Sequence, residues 1–309
     1  MSLSRTDRIR SWLAWLMLKS LSCLPLRVSQ WLGCLIGWFN YRLDTRAAKV
    51  TRTNLAICQP HLGESAREQL VRSSLLHTGM TMMETPAVWL GRLQRMSGWI
   101  CQIDGEAILK AAIDKGKGVI VLLPHSGNWE LLNVYFAKNT HMTALYQPPE
   151  QVYLQPIMAG IREHYGNEMV PTNVRGIAVL YRRLQAGGVT VVLPDQVPAS
   201  GEFVPFFGME ALTDRLISRL ISKTGAEVVC CQVKRLPTAR GFRIVFTEPD
   251  EQIYSKDPHQ SLLAMNHCVE RCALDSPEQY QWEYKRFRQR PTGELRLYNY
   301  NNSPHTHHL

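Results

Sequence analysis

The chain has 309 residues, 45% of them hydrophobic, and a formal net charge of +9 from 35 Lys and Arg against 26 Asp and Glu. That length buries a substantial core, and one large domain with a terminal appendage fits it better than two equal domains. The positive balance favours acidic partners, whether phosphates, anionic lipid, nucleic acid or an acidic carrier protein, without choosing among them.

The N-terminal stretch differs from the rest. Residues 12–39 hold Trp12, Trp15, Trp31, Trp38 and Phe39 among many leucines, interrupted by Lys19, Pro25 and Arg27. No uninterrupted apolar run reaches the roughly 18 residues of a clear span. Arg5, Arg8 and Arg10 precede it and Arg42, Arg46, Lys49 and Arg52 follow it, so charge assigns no orientation. No small-residue cleavage site ends it as a signal peptide would. Tryptophans clustered where an interfacial belt would use them favour a membrane anchor over residues 1–45, against a soluble hydrophobic hairpin.

Residues 45–98 carry a helical pattern. Strands are then expected near 99–103, 118–123, 141–146, 189–193, 227–234 and 242–247, with a hairpin turn across 237–241. Helices are expected near 106–115, 128–138, 151–165, 175–186, 211–224 and 259–274. The alternation predicts an α/β domain over residues 46–300, with a mostly parallel central sheet flanked by helices. Residues 301–309 read as a disordered tail, and His305, His307 and His308 in it as no metal site.

The eight cysteines form no Cys-x-x-Cys pair, and buried reduced thiols in a cytosolic-facing domain are expected. His267, Cys268 and Cys272 lack a second ligand pair and read as a helix face. No metal or redox cofactor is expected.

The stretch that carries chemistry is His125-Ser126-Gly127-Asn128-Trp129-Glu130, directly after the apolar run Val119 to Pro124. A strand delivers a histidine to the sheet edge. If the chain turns into a helix near Gly127, Glu130 falls about one turn in and bonds the imidazole, the arrangement of a general base and its orienting carboxylate. Backbone N–H groups at that helix start would then stabilise an oxyanion, and small Gly127 would let substrate approach. The Gly-x-Ser-x-Gly elbow is absent, so direct attack without an acyl-enzyme is the simplest chemistry. Read alone, the box is equally compatible with a histidine that caps a helix.

An internal echo raises the functional reading. Gly118 to His125 is matched by Gly188 to Asp195, each a glycine, an apolar strand, a proline and a polar residue at the strand's carboxyl end. Ligands of open α/β sheets collect there, so His125 and Asp195 are expected to face one crevice. After Gln196 comes Phe203-Val204-Pro205-Phe206-Phe207-Gly208, whose aromatics either wall an acyl-chain channel or pack under the sheet. Residues 282–288 read as a cationic helix with interleaved aromatics, suited to phosphates or to packing.

Taken together these residues resemble the bacterial lipid A late acyltransferases. The box from His125 to Glu130 is similar to the family's His-x4-Asp/Glu motif, and Arg52-x-Asn54-Leu55 to its early helical motif. Pro194-Asp195-Gln196, the run from Phe203 to Gly208 and Thr213 resemble its central block. The run from Ser276 to Trp282, then Lys285-Arg286-Phe287 and Arg290-Pro291-x-Gly293, resemble its terminal signature. The resemblance implies transfer of a fatty acyl chain, usually from acyl carrier protein and otherwise from acyl-CoA, to a hydroxyl of a lipid A precursor on the inner face of the bacterial inner membrane. It implies His125 as general base and Glu130 as its partner. Gly127, Asn128, Arg175, Asp195, Gln196, Phe206 and Phe207 are the candidate substrate contacts. One departure stands out: Tyr146-Gln147-Pro148-Pro149 occupies the place of the family's usual Tyr-Arg-Pro, which removes a five-donor fork suited to phosphate. Another membrane lipid as acceptor, or a non-catalytic lipid-binding protein of the same fold, are the other readings. Nucleic acid is not an expected partner, since it leaves the tryptophans unexplained.

Overall fold

A computed structural model of the protein describes residues 4–298 and 300, so the expected tail at 301–309 lies outside the described residues. Five helices come first: α1 (Arg5–Ser22), α2 (Leu26–Arg42), α3 (Arg46–Cys58), α4 (Glu64–Leu90) and α5 (Leu93–Ser97). Ser4 caps α1 by accepting the Asp7 N–H at 3.1 Å, and Pro25 caps α2 and separates the two. Strands and helices then alternate: β1 (Ile100–Asp104), α6 (Glu106–Asp114), β2 (Val119–Leu122), α7 (Leu131–Asn139), β3 (Met142–Tyr146), α8 (Gln155–Glu163), β4 (Glu168–Pro171), α9 (Val174–Gln185) and β5 (Val189–Val192). The chain continues through β6 (Glu202–Phe206), β7 (Met209–Thr213), α10 (Leu216–Thr224), β8 (Glu227–Arg235), β9 (Phe242–Thr247) and α11 (Pro258–Asp275).

Seven strands form one sheet in the order β1-β9-β8-β2-β5-β3-β4. Every neighbouring pair is parallel except β8 and β9, the hairpin expected across 237–241. The central strand β2 is buried on both faces, as an all-apolar run in a parallel sheet should be. Its alternate residues divide the core. Val119 and Val121 pack with Leu109 of α6 and Val134 and Phe136 of α7, whereas Ile120 and Leu122 pack with α9, α10 and α11 through Leu180, Leu220 and Leu262. The α/β class with a mostly parallel sheet is therefore as expected, in three layers.

Three strands were not legible. The expected helix at 211–224 begins only at Leu216, because 209–213 pairs antiparallel with β6. Phe207 (φ 50) and Gly208 (φ 74) form the two-residue turn between them, both left-handed as such a hairpin turn requires. Edge strand β4 is short and only partly buried, so its sequence lacks a long apolar run.

The N-terminal helices are not detached. α2 meets α4 in backbone contact at Gly33, Gly37 and Gly79, where any Cβ would overlap the other helix. Much of the rest of α1 and α2 faces outward: Trp12 is 59% and Trp31 61% exposed, alongside exposed Leu13, Leu16, Met17 and Phe39. Among the described residues no helix is long and apolar enough to cross a membrane.

Candidate active site

The echo of β2 in β5 is a pairing. The two strands lie side by side with Val119 opposite Val189 and Leu122 opposite Val192, a constant offset that carries past the ladder to His125 and Asp195. Asp195 takes His125 at two points: Oδ1 lies 2.7 Å from the ring Nδ1, and Oδ2 accepts the His125 backbone N–H at 2.8 Å. The Asp195 side chain is 2% exposed and that of His125 14%. Burial alone would raise the Asp195 carboxyl, but the charge and hydrogen bonds of His125 outweigh it and hold it below the usual carboxylate range. An ionised carboxylate only accepts, so Nδ1 carries a proton, and in the neutral ring the lone pair falls on Nε2. Gln196 Nε2 stands 3.2 Å from that Nε2, and the Trp129 ring meets the imidazole edge-on with centroids 4.8 Å apart.

Glu130 is not the partner of His125. Its carboxylate is held by Arg162 of α8, with Nη1 to Oε2 at 3.0 Å and Nη2 to Oε1 at 3.3 Å. The expected geometry assumed a helix from Gly127, whereas α7 begins at Leu131 and Gly127 (φ 59) first turns the chain across β8. Arg162 lies over the rings of Trp89 and Tyr146, each 5.9 Å from its guanidinium. Tyr146 is the residue before the departing Gln147, so that departure sits next to this second charged pair.

The Gly127 N–H donates to the Gln279 carbonyl at 2.9 Å and is thus spoken for, not free for an oxyanion. Its missing Cβ serves the close pass over Val233, whose carbonyl oxygen a side chain would overlap, and not the approach of substrate. Asn128 is fully buried and donates to Glu84 of α4 at 3.2 Å, a supporting position away from solvent. Ser126 is buried too, with its hydroxyl 3.4 Å from Gln232 Nε2.

The other expected contacts divide. Gln196 joins His125. Phe206 is 1% exposed in a cluster with Leu55, Trp282 and Phe287, and Phe207 packs on Trp282 with centroids 5.8 Å apart, so these rings build core instead of a channel. Arg175 is exposed on the first turn of α9, the helix that follows the edge strand β4, and makes none of the contacts described for the His125 site.

Residues 280–288 form no helix; they cross the mouth of the sheet as an irregular wall. Tyr280 bridges Ser126, and the Gln281 N–H donates to the His125 carbonyl at 3.0 Å. Asn54 of α3 holds this wall by donating to the carbonyls of Trp282 (2.7 Å) and Tyr284 (2.8 Å), which joins the early helical motif to the terminal one. Arg286 is buried and donates to Leu212 O (2.6 Å) and Thr213 Oγ1 (3.0 Å), so the expected cationic face has one of its charges inside. Glu283 accepts the Thr78 hydroxyl at 3.0 Å, and burial raises its carboxyl above the usual range. Beneath the loop, Arg235 of β8 grips Glu84 at 2.6 Å through both Nε and Nη2. Arg162, Glu84, Arg235 and Glu283 were not singled out in the sequence, although Glu84 stands as a lone acid after the apolar Met82-Met83.

The arrangement offers a buried carboxylate, an imidazole held through Nδ1 whose Nε2 meets the Gln196 amide, and no group of three or more metal-ligating side chains among the described residues. The family described as "Bacterial lipid A biosynthesis acyltransferase" matches residues 1–289. The Escherichia coli lipid A biosynthesis lauroyltransferase is 29% identical over 290 residues, covering 92% of this chain and 94% of that protein. The palmitoleoyltransferase of the same organism is 29% identical over 296 residues (94% and 95%), and its myristoyltransferase 25% over 298 (94% and 91%). With a match that runs from the exposed N-terminal helices to the wall over His125, the chain belongs to the bacterial lipid A biosynthesis acyltransferase family and is an acyltransferase.

Proposed function

We propose that the protein moves a fatty acyl chain from acyl carrier protein to a hydroxyl of a lipid A precursor, with His125 as general base fixed by Asp195. The observation that carries this reading is the paired contact of Asp195 with Nδ1 and N–H of His125, which leaves Nε2 as the proton acceptor. The acceptor hydroxyl gives its proton to Nε2 as its oxygen attacks the thioester carbonyl. Collapse of the tetrahedral intermediate breaks the C–S bond, and the imidazolium returns the proton to the leaving thiolate, so no acyl-enzyme forms. Asp195 stabilises the imidazolium in between.

Arg162, held by Glu130 and lying over the rings of Trp89 and Tyr146, is a preorganised cation for an anionic group of a substrate. The exposed tryptophans of α1 and α2, with the basic residues flanking them, suit residence on an anionic bilayer at the cytoplasmic face of the inner membrane. The test is a reconstitution of the purified protein with acyl carrier protein thioesters and a lipid A precursor, with a lysophospholipid as the competing acceptor. Acylation of the precursor, lost by about 10²–10⁴-fold in His125→Ala at unchanged folding, is the expected result. Near-normal transfer in that variant, or transfer to the lysophospholipid alone, would refute the assignment.

A further inference from the structure

A lipid acceptor brings tails as well as a hydroxyl, and α1 and α8 leave an open place for one between them. An open groove of about 360 Å³ runs between them, lined by Arg8, Ser11, Trp12, Trp15, Pro156 and Ile157. Its volume falls within the range of sites that hold small apolar ligands. The outer wall is the exposed face of α1, which continues into Ile9, Leu13, Leu16 and Met17. Apolar area of this extent left open to water marks an interaction site. The inner wall is the start of α8. Five residues along that helix from Ile157, about 8 Å of axial rise, Arg162 reaches the Glu130 pair beside the His125 loop.

We propose that this groove holds one fatty acyl chain of the membrane lipid acceptor, with Arg8 at its rim against a phosphate of the headgroup. The inference rests on the reading of the acceptor as a bilayer lipid. The groove opens on the tryptophan-rich face of α1, the side from which such a lipid enters; a chain tethered to a carrier protein comes from water and has no reason to cross that face. α8 then links the seated tail to the catalytic loop through Arg162 and Glu130.

The experiment uses the full-length protein in vesicles of phosphatidylethanolamine and phosphatidylglycerol, with a lipid A precursor bearing a diazirine near the end of one acyl chain. Photolysis is expected to label peptides containing Trp12 and Trp15 or Pro156 and Ile157. Ser11→Trp, which fills the groove from the helix surface, is expected to lower that labelling and to raise the KM for the acceptor about 10-fold. Vesicle flotation and the KM for the acyl donor are expected to hold. Labels confined to other elements, equal labelling by a phospholipid with the same diazirine (bulk bilayer contact only), or unchanged labelling and KM in Ser11→Trp would each overturn the proposal. Labelling needs no turnover, so a labelled groove in a protein inactive toward every donor would count against the acyl-transfer reading alone. An active enzyme with an unlabelled groove would count against the groove alone.

Discussion

Asp195 binds His125 through both carboxylate oxygens, one on the ring Nδ1 and one on the backbone N–H, across 70 positions of sequence. The double contact fixes tautomer and loop together, and the two can be separated. In Asp195→Asn the amide oxygen can still accept the backbone N–H. Its NH₂ group then faces Nδ1 and demands a lone pair there, which moves the ring proton to Nε2, the atom needed as the base. We expect kcat to fall by about 10²–10⁴-fold with the thermal midpoint little changed. The His125→Ala/Asp195→Asn double variant should be no slower than the worse single one, since the pair acts as a unit. Additive losses would show that Asp195 acts elsewhere.

Much of this site can be traced in the sequence, and the exceptions have physical reasons. The echo between Gly118–His125 and Gly188–Asp195 is visible because parallel neighbours buried on both faces need the same apolar pattern, and equal strand lengths bring equal positions to one rim. The spacing of Glu130 predicts His125 as its partner, but spacing along a helix is informative only once the helix start is known, and Gly127 delays it to Leu131. Arg162 lies 32 positions from Glu130 on a helix whose approach depends on tertiary packing, so no local pattern announces it. Phe206 and Phe207 carry the apolar signal shared by channels and cores, and only the hairpin turn at Phe207-Gly208 decides for the core.

The Arg235–Glu84 pair supports the His125 loop from below. Both side chains are at most 3% exposed, and Glu84 also accepts from Gln30 of α2 (2.8 Å) and Asn128 of the His125 box. One carboxylate thus joins α2, the sheet and the His125 loop. Glu84→Ala leaves a buried guanidinium without its counter-charge, and a loss of about 3–5 kcal/mol in unfolding free energy is expected. Denaturant titration measures it; a loss under about 1 kcal/mol would mean that water reaches Arg235.

His77 of α4 makes this cluster sensitive to acid. Burial, and then the charge of Arg235, push its imidazole down to about 3, while Arg235 Nη1 sits 2.8 Å from Nδ1. The folded state therefore keeps His77 neutral where the unfolded chain, with a value near 6.5, takes a proton. Its contribution to stability is complete above pH ~6.5 and is lost progressively as pH falls toward about 3. His77→Gln retains an acceptor for Arg235 but cannot titrate. Its denaturation midpoint should fall less than that of the native protein between pH 7.5 and 5; parallel decline in both would exclude His77 as the source.

Gly127 ties geometry to turnover most directly. Its left-handed backbone costs an L-residue about 1–2 kcal/mol, and a methyl group there would also overlap the Val233 carbonyl. The loop can relieve the overlap only by lifting from β8. Lifting breaks the Gly127 N–H bond to Gln279 and loosens the adjoining Gln281 bond to the His125 carbonyl. Gly127→Ala is therefore expected to lose about 2–5 kcal/mol of stability. Acyl transfer should fall further than the unfolded fraction explains, because the imidazole shifts relative to Asp195. Activity per folded molecule, measured well below the melting temperature, separates the two effects. A variant that melts early yet turns over normally while folded would show that the loop tolerates displacement and that Asp195 alone holds the ring.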